Sequence, residues 1–244
     1  MLDNVMYWTG CTAVDLAAQL MFQMDVVKHA TLPAGPKIIA ANHPSTSDPA
    51  LVLTVFDEPA HILIEERLFK VPVLGRYLHA AGHICVLPDR GREAFAQAEA
   101  ALRRGENVVI FPEGAISPLG GGFHKPRTGV ARLALSTGAP VIPVGIHLDR
   151  ARIRLITTMV DGKPALGTWY LNGPYALTVG APLHFTGDVN DRAAVEAAAE
   201  RVMARIGILA HQGTLRVLAA ETARAARAAN APDWARRLGL VGAR

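Results

Sequence analysis

The sequence predicts an α/β fold: a single domain with a mostly parallel, helix-covered central sheet, preceded by an N-terminal hydrophobic helical segment. Three observations carry this. Half of the 244 residues are apolar, enough for one large core. Short apolar runs bounded by turn residues alternate with longer stretches of helical periodicity. No linker-like composition divides the chain, so its parts are read as 1–30, the hydrophobic helical segment; 31–210, the α/β domain; and 211–244, an Arg-rich helical tail.

From Met1 to Lys28 the first segment carries apolar residues at roughly helical spacing, over Val5–Val14 and Leu16–Phe22, and Asp3, Asp15 and Asp25 interrupt it. The first basic residue is Lys28, so no basic region precedes the apolar run as a cleaved secretory signal requires. Asp15 falls where a transmembrane span would want about 20 apolar residues. What remains is a helix or helical hairpin up to Lys28 that packs on the core or lies in a membrane interface.

Lys37–Ala41 then reads as a buried strand, followed by a helix from Asp48. His61–Glu65 is a second strand, Arg67–Gly82 a proline-broken helical stretch and His83–Leu87 a short strand. An Ala-rich amphipathic helix over Arg92–Arg104 is closed by Gly105. Val108–Phe111 is another buried strand. Gly120–Gly122 lacks the Lys-Ser/Thr pair of a phosphate loop and reads as a flexible connection. A helix over Val130–Ser136 leads to a strand over Pro140–Ile146. Arg152–Ile156 reads as a strand before the turn Asp161-Gly162, and Tyr175–Gly180 is the last strand. Two helices end the chain, over Asp191–Leu209 and Thr214–Ala229.

Two strand ends change abruptly from apolar to polar: Asn42-His43-Pro44-Ser45-Thr46-Ser47-Asp48, and Pro112-Glu113-Gly114. Ligands in parallel sheets gather at such carboxyl ends. In the first, two prolines keep the loop from becoming a continuous helix, so the chain can curl back and bring His43 to Asp48. A carboxylate beside an imidazole fixes its tautomer and makes it a usable base. A second reading stays open at this level: Asp48-Pro49 is also a helix N-cap followed by proline at the first helical position, and His43 a satisfied structural histidine.

Cys11 and Cys85 form neither a disulfide framework nor a metal-ligand pattern, and the remaining histidines stand singly, so no metal is expected. A reducing, cytosolic environment fits. The net charge of +4 favours anionic partners. From Glu200 to Arg244 there are eight arginines against Glu200, Glu221 and Asp233, without a nucleic-acid recognition motif or interleaved aromatics. Anionic lipid headgroups suit this better than nucleic acid.

Taken together, Asn42-His43-x4-Asp48, Gly82-His-Ile-Cys-Val86, Phe111-Pro-Glu-Gly114 and Val141-Ile-Pro-Val144 resemble, in order, the glycerolipid acyltransferase family of bacterial 1-acylglycerol-3-phosphate acyltransferases, over about residues 37–185. The resemblance implies transfer of a fatty acyl group from acyl-CoA or acyl carrier protein to a lysophospholipid hydroxyl, without a further cofactor. His43 would be the general base and Asp48 its orienter, and a thioester needs no enzyme nucleophile, so Ser45 and Ser47 read as loop polar groups. Asn42, Glu113 and Gly114 would help bind substrate. The protein would sit on the cytoplasmic face of the membrane, peripheral or monotopic, against anionic lipids. The chain departs from the family twice. Ala115-Ile116 stands where Thr-Arg commonly follows the glycine, and Pro88 where an arginine is common. Arg90, Lys125 and Arg127 are the nearby cations that would hold an acceptor phosphate instead. Alternatives are a different acceptor, such as an amino-lipid, a glycolipid or glycerol 3-phosphate, or a lipid-binding protein without turnover.

Overall fold

The computed structural model describes residues 4–230. It opens on α1 (Asn4–Met21) and continues through β1 (Phe22–Lys28), β2 (Ile38–Ala41), α2 (Asp48–Leu53) and β3 (Ala60–Glu65). Next come α3 (Glu66–Phe69), α4 (Leu74–Ala80), β4 (Ile84–Val86), α5 (Gly91–Arg103), β5 (Asn107–Ile110), α6 (Gly129–Thr137) and β6 (Val141–Leu148). After a 3-10 turn at Arg150–Arg152 come β7 (Arg154–Val160), β8 (Lys163–Trp169), β9 (Gly173–Val179) and α7 (Arg192–Ala229).

Seven strands form one sheet in the order β1-β9-β6-β2-β5-β3-β4, and every pairing is parallel except β6 with β9. The expected mostly parallel sheet is therefore present. All four residues of β2 are buried because helices cover both faces. Ile39 and Ala41 join a core with α1, α2 and α4, whereas Ile38 and Ala40 join one with α5, α6 and α7. That alternation is the two-residue period of a strand. β7 and β8 form a separate hairpin whose turn residues, Asp161 and Gly162, both have positive φ, the geometry that matches hairpin twist.

Two stretches differ from the sequence reading. Phe22–Lys28 is a strand, not part of a helical segment, and it pairs in register with β9 from Phe22↔Gly173 to Lys28↔Val179. The strand is half-buried, so its apolar pattern is weak and pairing decides its conformation. The two C-terminal helices are one 38-residue helix, α7. Gly213 does not break it, because that glycine is needed for close approach: a Cβ there would lie 3.2 Å from the Cβ atoms of Ala176 and His147. Gly145 of β6 serves the same contact, since a Cβ there would collide with the backbone of Leu209 and Ala210. Residues 231–244 of the Arg-rich tail lie outside the described residues.

Candidate active site

β2, β5 and β6 are parallel neighbours, so their carboxyl ends lie along one edge. Antiparallel β9 brings its amino end to that edge, with Tyr175 opposite Leu148. His43, Glu113, Arg150 and Tyr175 therefore gather there from four separate parts of the sequence.

The His43 ring is fixed on two sides. Its Nδ1 lies 3.0 Å from Asp48 Oδ2, and the ring stacks on Phe111 with centroids 4.2 Å apart. A carboxylate only accepts, so Nδ1 carries the hydrogen and Nε2 keeps its lone pair. The imidazole is 17% exposed and its partner carboxylate 0%. The histidine is thus reachable, while the carboxylate is sealed from water.

Asp48 is held by four hydrogen bonds. Oδ2 accepts from the Ser45 N–H at 2.7 Å as well as from His43, and Oδ1 accepts from the Ser45 hydroxyl and the Tyr175 hydroxyl, both at 2.7 Å. Burial and the adjacent Asp48 charge push the Tyr175 pKa well above its ordinary value, so the phenol stays a neutral donor. The capping alternative for Asp48 does not hold. Ser47 occupies the N-cap position without a side-chain cap bond, and Asp48 is the first helical residue. Ser45 and Ser47 are loop polar groups, the latter donating to the Tyr170 carbonyl at 2.9 Å. Thr46 exchanges two hydrogen bonds with Thr168, tying this loop to the hairpin.

Glu113 is buried and braces the site. Its Oε1 accepts from the His43 N–H at 3.1 Å and the Ser117 hydroxyl at 2.5 Å, and its Oε2 from the His124 N–H at 2.8 Å. Asn42, expected to bind substrate, instead clamps β2 to β6. Its amide donates to the Ile146 carbonyl at 2.9 Å and accepts from the Ile146 N–H at 2.7 Å, which leaves little capacity for a ligand.

The three expected cations separate. Gly114 has φ +66°, and a Cβ there would collide with the Arg127 guanidinium, so that glycine lets Arg127 lie on the Glu113 turn. Arg90 is exposed and donates to Glu93 at 2.8 Å. It follows β4, three strands from β2 or about 14 Å across the sheet, so the structure does not bring it to His43. Lys125 is exposed, and the Glu196 carboxyl on α7, lowered chiefly by its hydrogen bond to Arg192, is lowered a little further by the Lys125 charge. An open groove of about 750 Å³ between Phe123, Pro126 and α7 has none of His43, Asp48 or Glu113 in its walls. Among the described residues no group of three or more His, Cys, Asp or Glu is placed to hold a metal.

The acyltransferase family model matches residues 23–147, just over half of the chain, from within β1 to within β6. The chain belongs to the acyltransferase family. Among the curated members it resembles, the 1-acyl-sn-glycerol-3-phosphate acyltransferase of Pseudomonas aeruginosa is 33% identical over 119 residues, covering 46% of this chain and 45% of that protein. The Escherichia coli protein of the same name is 26% identical over 127 residues, 50% and 51% of the two chains. The chain thus matches about half the length of these curated relatives. The crystal structure of the 1-acyl-sn-glycerophosphate (LPA) acyltransferase PlsC from Thermotoga maritima aligns with a TM-score of 0.56 at 24% identity, covering 84% of this chain and 79% of that one. This family member shares the fold of that structure.

Sequence reasoning missed Tyr175 and Arg150. No local signal marks Tyr175, which lies 127 residues from the carboxylate it holds. Arg150 follows the carboxyl end of a parallel strand, the same signal that marked His43 and Glu113.

Proposed function

We propose that the chain is an O-acyltransferase moving a fatty acyl group from acyl-CoA or acyl carrier protein to the hydroxyl of a lysophospholipid, with 1-acyl-glycerol-3-phosphate as its acceptor. The observation that carries this is the 3.0 Å contact between His43 Nδ1 and a fully buried, four-bonded Asp48 carboxylate, which leaves Nε2 as a fixed acceptor at the sheet edge. Nε2 takes the acceptor's hydroxyl proton as that oxygen attacks the thioester carbonyl carbon. The C–S bond then breaks, and the departing sulfur receives the proton from His43. One ester and one free thiol result, and no enzyme-bound acyl group is needed.

Two further features support a lipid acceptor at a membrane surface. Tyr7, Cys11 and Ala18 of α1 are buried against the core, whereas Val5, Leu16 and Leu20 are 73%, 59% and 78% exposed. At 100° per residue these three share a face with Thr9, Thr12 and Ala13, and that face carries no charge. Among the described residues no helix is long and apolar enough to cross a membrane, so we assign α1 to the bilayer interface. The two free cysteines agree with the cytoplasmic side.

Thiol release from acyl-CoA, followed with and without lysophosphatidate, tests the reaction. His43→Ala is expected to lower acceptor-dependent release by at least about 1,000-fold while the protein still folds. Full activity in a folded His43→Ala protein refutes the mechanism. Because Ala115 and Ile116 offer no charge at the turn, the panel also includes an amino-lipid, a glycolipid and glycerol 3-phosphate. A preference for one of these replaces lysophosphatidate as acceptor.

A further inference from the structure

Arg150 is a half-buried cation whose contacts do not account for its charge. It begins the 3-10 turn that follows β6 at the catalytic edge. Its side chain reaches back to the loop after Glu113, where Nη1 donates to the Pro118 carbonyl at 2.5 Å. Pro118 adjoins Ser117, whose N–H donates to the His43 carbonyl at 2.7 Å and whose hydroxyl donates to Glu113 at 2.5 Å. The guanidinium therefore sits one residue from the strut joining the two strand-end turns. Among the described residues it has no carboxylate within ion-pair distance, whereas its neighbour Arg152 pairs with Asp149 at 3.3 Å. One of its five N–H groups is used.

The local field gives this cation a task. Asp48 and Glu113 are both buried and alone would repel an anionic headgroup; Arg150 reaches the Pro118 carbonyl and Arg127 lies against Gly114, so two cations stand near them.

 Burial lowers the pKa of Arg150 while the Glu113 and Asp48 charges raise it, so both carboxylates lie within reach of its field. The two carboxylates are already committed to seven hydrogen bonds with other groups. A planar guanidinium with free N–H groups is suited to a tetrahedral anion.

We infer that Arg150 binds the phosphate of the acyl acceptor, placing the acceptor hydroxyl at His43. This rests on the acyl-transfer reading above. Phosphate also occurs in the CoA part of the donor, and the test separates the two sources. Arg150→Gln and Arg150→Lys are assayed with 1-acyl-glycerol-3-phosphate and with phosphate-free 1-acylglycerol. Each acceptor is paired with acyl-CoA and with an acyl N-acetylcysteamine thioester, which has no phosphate. Arg150→Gln is expected to raise KM for the phosphorylated acceptor roughly 10- to 100-fold, with kcat little changed and either donor giving the same result. Lysine is expected to restore part of the loss, and 1-acylglycerol to be unaffected. A KM change that follows CoA, or a fall in kcat with every substrate pair, overturns the inference. Calorimetric binding of lysophosphatidate to wild type and Arg150→Gln needs no turnover, so it also decides the case if wild type releases no thiol. Equal affinities overturn the Arg150 site, whereas absent turnover with weakened binding overturns only the acyl-transfer reading.

Discussion

The Asp48 carboxylate offers a test of how the site is held together. Its Oδ1 has two donors, the Ser45 and Tyr175 hydroxyls, each at 2.7 Å, and the residue has no exposed surface. Tyr175→Phe removes one donor and keeps the ring that packs on Phe22 and Tyr170, with centroids 5.9 and 6.1 Å away. Ser45→Ala removes the other. A hydrogen bond to a charged group contributes about 1.5–3 kcal/mol, so each single variant is expected to lose about 2 kcal/mol of stability. In either one, Oδ1 still has a donor. The double variant leaves a buried anionic oxygen with none, and its loss should exceed the sum of the singles by at least about 1 kcal/mol. Urea unfolding of the four proteins, followed by circular dichroism, measures this coupling. Additivity within about 0.5 kcal/mol would refute the claim that the two hydroxyls jointly hold the carboxylate. The same cycle on thiol release should be non-additive in the same direction, because an unanchored Asp48 no longer fixes the His43 tautomer.

Two other expectations concern the pH response and the membrane. Burial and the neighbouring His61 lower the pKa of His83 from 6.5 to about 4, and its Nδ1 accepts from the Ile62 N–H at 3.2 Å. The unfolded chain binds this proton first, so the stabilisation is complete above about pH 6.5 and is lost as pH falls towards 4. Between pH 7 and 4.5 the wild-type protein should lose about 2 kcal/mol more than His83→Asn, which retains an acceptor but does not titrate; equal losses in urea titrations would refute this. For the membrane, Leu16→Ser with Leu20→Ser removes two side chains that are 59% and 78% exposed on α1. Losing about 3 kcal/mol of apolar burial should lower partition into anionic liposomes about 100-fold, and unchanged sedimentation would show that α1 does not insert.

How much of this molecule was legible in its sequence depends on the reach of each interaction. β2, β3, β5 and β6 are short apolar runs between turn residues, so local pattern located them. The β1 end of the sheet was harder. β1 is a half-buried strand with Asp25 within it, and its conformation depends on pairing with β9, far along the chain. The C-terminal helix reads from sequence as two, ending at Leu209 and resuming at Thr214, because the benefit of Gly213 between them, close packing of α7 on β6 and β9, is visible only in three dimensions. The same division runs through the site. His43 and Asp48 are five residues apart and declare themselves as a pair. Their supports come from elsewhere: Phe111 and Glu113 after β5, Tyr175 at the start of β9. Asn42 shows the converse. The resemblance implied a substrate contact, whereas its amide stands at a buried strand end and exchanges two hydrogen bonds with the Ile146 backbone. Arg150 follows from the same reasoning. At this buried edge, a guanidinium that holds one carbonyl and no carboxylate has capacity left for a substrate.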